Sequence, residues 1–159
     1  MATQAFDWHP TLTAIQTNLD ENAGVVGGDK VSYYIGELDL LAEDCPFGMI
    51  WAGDSEFDIA QSGVDANDRQ PYREKKRVFV YLATYQVERG TEDNVWSNAH
   101  KQMEDLQTLA LNALSADRTV DGNVINTTIL NIRTNPPGSP EDEDLQVRRI
   151  ELELWKDWF

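Results

Sequence analysis

The run Arg77–Val87 constrains this chain most, because apolar residues occupy both alternating phases of it before a helical period takes over. Phe79, Tyr81, Ala83, Tyr85 and Val87 make one phase, and Val78, Val80 and Leu82 begin the other. A strand with β-branched and aromatic residues on both faces is covered on both sides and is therefore central in its sheet. After Arg89–Gly90 the spacing changes. Trp96, Ala99, Met103, Leu106, Ala110 and Ala113 recur at intervals of three and four, and Leu109 and Leu114 widen the stripe. This predicts a helix over 93–114 with one apolar face. Thr91, Asp93 and Asn94 offer it capping oxygens and early negative charge. The pair reads as a sheet with a helix lying on it.

The remaining elements follow from local signals. Pro10–Asn22 is expected to be a helix: Leu12, Ile15 and Leu19 form a short stripe, Pro10 suits a first turn, and Gly24 follows the end. Gly24–Asp29 is expected to be a plain turn, its glycines lacking the spacing of a phosphate-binding loop. Val31, Tyr33 and Ile35 alternate as in a strand, and Phe47–Ala52 is a short apolar strand leading to Asp54, Glu56 and Asp58 on an exposed face. Residues 60–74 are polar and rich in turn formers, which predicts a mobile loop. Val124–Thr134 reads as a strand with Val124, Thr128, Leu130 and Ile132 on one face. The acidic, proline-rich stretch 135–144 is a connector, and Leu145–Phe159 is the last strand, with Ile150, Leu152 and Leu154 pointing inward. Runs of strands separated by one long helix, without regular βαβ alternation, predict a single α+β domain with a mainly antiparallel sheet. Phe79, Tyr81, Trp96, Met103, Leu106, Ile150 and Leu152 are its expected common core.

Composition removes several functional classes. A formal charge of -15, from 28 acidic and 13 basic residues, opposes binding that rests on neutralising phosphates or on docking to anionic lipid. No apolar run approaches the roughly 18–20 residues of a membrane span. The first residues, with Asp7 and no Lys or Arg, lack a secretory pattern. Cys45 is the only cysteine, so no intrachain disulfide forms. A reducing compartment is the simple inference.

The residues that could carry chemistry each have a plainer role. His100 has Trp96 and Glu104 four residues to either side, but no motif supplies a nucleophile and an orienting group. It reads as a boundary side chain, and His9 stands alone. Asp54, Glu56 and Asp58 lack the ligand ladder of a calcium loop and read as a solvated face, as do Glu141–Asp144. Cys45 is expected to be a buried small hydrophobe. The cluster Arg73, Lys75, Lys76 and Arg77 is the one dense basic group, suited either to self-association or to a solvated strand start. Trp155, Trp158 and Phe159 belong either to core or to interface. No catalytic residue, metal ligand or cofactor is expected.

In element order, and most closely in Arg77–Leu82 leading into the helix and in the closing Arg148–Leu154, the chain resembles the tail terminators of tailed bacteriophages, also called tail-completion or minor tail proteins. The resemblance spans about 10–158 and is one of pattern, without a diagnostic motif. It implies a structural virion protein, made in the host cytoplasm and located in the tail or neck. Such a subunit assembles as a hexameric ring, caps the tail tube and joins it to the head-side connector. The connector at 136–144 is longer and more acidic than that pattern, which leaves a related neck role open. Arg73, Lys75, Lys76, Arg148, Arg149, Trp155 and Trp158 are the expected interface residues of such a ring. DNA would pass through the ring without specific binding. An acidic wall would let it slide, with Asp54, Glu56, Asp58, Glu151 and Glu153 as the expected channel residues, whereas the same charge kept outside would only aid solubility. Two other readings stand beside this one. One is a ligand-binding or enzymatic domain with a pocket under the long helix lined by Tyr81, Tyr85, His100 and Glu104; the other is an acidic adaptor or inhibitor that binds a basic partner.

Overall fold

The structure, a computed structural model, describes residues 6–36, 45–59, 72–85, 95–135 and 145–158, apart from the side chains of Tyr85 and residues 95–99. Its elements in chain order are α1 (His9–Asn22), β1 (Val25–Val26), β2 (Asp29–Lys30), β3 (Ser32–Ile35), β4 (Phe47–Ile59), β5 (Tyr72–Tyr85), α2 (Val95–Ala116), β6 (Asn126–Thr134) and β7 (Leu145–Trp158). The fold is α+β, with two helices among the described residues and a five-stranded sheet ordered β3-β4-β5-β7-β6. β3 runs parallel to β4, and every other pairing in that sheet is antiparallel. β5 has a partner along its whole length on the β7 side and is central, as its two apolar phases require.

α1 starts at His9, with Pro10 in its first turn and no side-chain cap from Trp8. It buries Thr11, Leu12, Ile15 and Leu19. The turn at 24–29 is a tight hairpin: Val26 pairs with Asp29, and Gly27 and Gly28 both take positive φ, which a two-residue hairpin turn of this hand demands. Tyr33 then locks β3 to α1. Its hydroxyl donates to the Ala23 carbonyl at 2.7 Å, and its ring lies so close to Gly48 that an added Cβ there would sit 2.5 Å from it. Asn18 donates to the Ala113 carbonyl at 2.9 Å and ties α1 to α2.

Both helices pack on one face of the sheet. Val78, Val80 and Leu82 of β5, Ile150, Leu152 and Leu154 of β7, and Ile50 of β4 meet Met103 and Leu106 of α2 and Ile15 and Leu19 of α1 in the main core. The single core expected from the sequence is therefore corrected. Phe79 and Tyr81 belong to the opposite phase of β5 and join a smaller cluster with Phe47, Met49, Ala83, Leu145 and Val147. Side chains of adjacent strand residues emerge on opposite faces, so one side chain cannot serve both clusters. Cys45 is half-buried beside that smaller cluster. Trp96 and the capping residues 91–94 lie outside the described side chains.

Two strands change phase part-way. In β4 the register shifts between Ala52 and Ser55; in β6 it shifts between Ile129 and Asn131. The β6 shift overturns the face expected from simple alternation: Thr128 and Leu130 are exposed, Thr127 is buried, and Ile129 and Ile132 pack on the main core. An extra residue in a strand reverses the face of everything after it. Residues 72–74, assigned to a mobile loop, are instead strand; residues 60–71 and the connector 136–144 lie outside the described residues. No described helix is long and apolar enough to cross a membrane.

Candidate functional site

The face of the sheet turned away from α1 and α2 collects most of the singled-out residues, and strand register decides which. Arg73, Lys75 and Arg77 of β5 pair with Asp157, Trp155 and Glu153 of β7, while Asp58 and Glu56 of β4 flank Arg73 and Lys75 on the other side. The result is a column of cations between two columns that carry carboxylates. Arg73 forms a two-pronged contact with Asp157, Nε to Oδ1 at 2.9 Å and Nη2 to Oδ2 at 3.2 Å. That hydrogen bond, with the Asp157 charge, raises the pKa of the Arg73 guanidinium. Lys75 Nζ lies 3.8 Å from Asp58 and 4.8 Å above the Trp155 ring. Arg77 reaches Glu153 at 3.3 Å and Glu151 at 4.0 Å.

Below this lattice the face turns aromatic. Trp51, Phe79 and Tyr81 form the floor of an open groove of about 720 Å³ that is rimmed by Asp54, Glu56, Lys75, Arg77, Glu151 and Glu153. Trp51 stands 6.2 Å from Tyr81 between ring centres, and the Arg149 guanidinium sits 4.7 Å over Phe79. Gly53 makes this possible, since a Cβ there would come within 2.7 Å of the Phe79 ring.

The expected interface residues are thus divided between the two faces. Arg73, Lys75, Arg149 and Trp155 lie on the open face. Lys76, Arg148 and Trp158 point toward the helices because each is one residue out of phase with its neighbour. Trp158 is buried in the main core, where its indole N–H donates to Glu74 at 2.9 Å. Glu74, only 2% exposed, also accepts from Ser55 at 2.5 Å and lies 3.9 Å from Lys76. The sequence reading missed it as a buried carboxylate; its place between two basic residues on a strand was the available signal. Burial beside these rings lowers the Lys156 pKa, with Asp7 and Glu74 opposing the shift.

The expected channel acids also differ from one another. Glu151 and Glu153 are shared with Arg77 and are mostly covered, and Asn131 and Trp155 each donate a further hydrogen bond to them. Asp58 has Lys75. Asp54 and Glu56 are exposed, and among the described residues neither has an ion-pair partner. The pocket expected under the long helix does not form as proposed, because Tyr81 projects from the other face and the Tyr85 side chain is outside the described set. His100 and Glu104 do meet, at 3.6 Å on the exposed side of α2. Glu104 also takes Arg148 Nη2 at 2.6 Å, and this hydrogen bond holds its carboxyl below the usual range. Arg148 reaches Gln107 as well, so it fastens α2 to β7. Among the described residues no three His, Cys, Asp or Glu side chains gather where they could hold a metal ion.

No protein-family model and no curated protein matches this chain.

Proposed function

We propose that this protein is a structural assembly subunit, a ring-forming terminator or neck component of a phage tail that acts through its surfaces. The single observation that supports this reading best is the one-sided sheet. α1 and α2 occupy one face, and the other presents cations, carboxylates and aromatic rings in register across three long strands. Such a surface is rigid because it rests on strands, and its mixed charge suits a partner of matched pattern. The strong net negative charge, -15 per chain, keeps a ring of such subunits from gripping DNA that passes through it. In this reading the channel draws on overall charge and on Asp54 and Glu56, because Glu151 and Glu153 are already engaged by Arg77. Electron microscopy of the purified protein across concentration tests the proposal: closed rings that add to the ends of tail tubes support it, and a strict monomer that ignores tube ends refutes it.

The groove over Trp51, Phe79 and Tyr81 favours a second reading, a ligand-binding domain, since about 720 Å³ lies within the usual size of small-molecule sites. In that case small aromatic cations should raise the melting temperature of a monomer and should lose that effect in Trp51→Ala.

A further inference from the structure

Besides the four-residue outer edge of β3, two long edges of the main sheet have no partner strand among the described residues, and they are matched in length, polarity and charge. β3 covers β4 only from Phe47 to Ile50, leaving the outer edge of residues 51–59 unpaired. At the other end of the sheet β6 pairs with β7 on one side only, over Asn126–Thr134. An exposed edge is a row of unmet N–H and C=O groups, and proteins usually blunt such edges with lysine, proline or brevity. Each of these edges carries one bulge, between Ala52 and Ser55 in β4 and between Ile129 and Asn131 in β6, but neither has a lysine or a proline, and the regular stretches beyond the bulges stay open. The large hydrophobics exposed among the described residues gather at them: Trp51 (38%), Phe57 (51%) and Ile59 (63%) along β4, and Ile125 (46%) and Leu130 (40%) along β6. Phe6 contacts the rings of both Phe57 and Tyr72, Tyr72 pairs with Ile59, and Val25 lies elsewhere.

Charge distinguishes the two edges. The β4 edge carries the unpaired Asp54 and Glu56, and β6 carries the exposed Arg133, which has no partner among the described residues. Arg133 pairs in register with Arg149, and Glu56 with Lys75, so both emerge on the open face of the sheet. Backbone polarity agrees as well. β4, β5, β7 and β6 alternate in direction, so a copy related by rotation about an axis along the strands brings its β6 antiparallel to β4. The outward groups are identifiable. Asn135 N–H donates to the Val147 carbonyl, so Ile132 and Thr134 turn their backbone groups away from β7. Gly36 N–H donates to Ile50, and following that alternation through β5 leaves Phe57 and Ile59 facing outward from β4.

We infer that β6 of one copy adds as a strand beside residues 51–59 of β4 in the next copy, giving a head-to-tail contact that continues the sheet from subunit to subunit. A contact between two different patches closes into a ring when its rotation allows. The inference rests on the ring-forming reading and names the surface that makes the ring.

The test uses the full chain with one edge blocked at a time, and thermal melting confirms folding. Leu130→Glu with Arg133→Glu places acid on the β6 edge, where it meets the acidic β4 edge. Phe57→Pro removes an outward N–H from β4 without touching the β5 ladder, and Ile59→Lys, which puts a cation on the edge that should meet Arg133, replaces it should that variant fail to fold. Sedimentation velocity should show the unaltered chain assembling and each blocked variant at least tenfold weaker in association. A one-to-one mixture of the two variants should stop at dimers, because one good pair of edges remains. Assembly of both variants like the unaltered chain overturns this contact while leaving the ring intact. Dimerisation of the β4 variant by itself overturns it in favour of β6 meeting β6. A monomer at every concentration of the unaltered chain overturns the ring and the contact together.

Discussion

Val78, Val80 and Leu82 leave β5 toward the helices and are fully buried, whereas Arg73, Lys75 and Arg77 leave the same strand in the other direction and meet carboxylates in partly open surroundings. The first set draws its stability from apolar area removed from water, which salt does not screen. The second set relies on ion pairs that solvent screens and that typically contribute about 0–1 kcal/mol each. The difference teaches where stability is concentrated in this chain. The helix side carries most of the buried apolar area, the smaller cluster around Phe47 and Val147 adds to it from the other face, and the charged end of that face adds little.

The sharpest way to break that division is to cut into both sides. Leu106→Ala, beneath α2, should destabilise by about 2–5 kcal/mol, read as a fall in denaturant midpoint. An unchanged midpoint would remove α2 from the core. A glycine pair on one strand gives the next largest contrast. Gly48→Ala drives a Cβ into the Tyr33 ring, which its hydrogen bond to Ala23 holds in place, and should cost about 1–3 kcal/mol. Gly53→Ala presses on Phe79 from the open face, where the ring has room to give, and should cost clearly less. Equal costs at the two glycines would mean that the open face is packed as firmly as the core.

Smaller still, Arg77→Ala should change stability by less than about 1 kcal/mol, and that difference should shrink as salt is added, because it removes a screened pair with Glu151 and Glu153. The least effect belongs to pH. Because Arg148 depresses the Glu104 pKa below its ordinary 4.5, the pair's contribution is present above that value and declines as pH falls through the lowered one. In Arg148→Met the acid limb of the stability profile should lose this component; an unchanged acid limb would show that Glu104 is not coupled to folding.

These contrasts also explain what was legible in the sequence. The centrality of β5 was readable because apolar residues fill both of its phases at 78–83, and α1 and α2 because their stripes keep one period. The faces of β6 were not, since no residue type announces that Leu130 is the extra one in the pairing. The parallel placement of β3 depends on how the chain crosses back, which four residues of alternation do not encode. On the open face, the basic cluster was visible as a run, but alternation sends Lys76 to the helix side, and only register with β7 reveals that Arg73 belongs to Asp157 and Trp158 to Glu74. The choice between core and interface for Trp155 and Trp158 likewise turns on which phase each occupies.

The register shift at Gly53–Asp54 has a consequence of another kind. It works as a reading frame for the strand: everything before it is read with even positions toward the helices, everything after it with odd ones. Deleting one residue there would leave composition, charge and hydrophobicity almost untouched. It would also leave Ser55 opposite Lys76 and Glu56 opposite Lys75, because the ladder loses only its extra residue; the same deletion made further along, within Ser55–Ile59, has no such slack and would turn every later side chain to the other face.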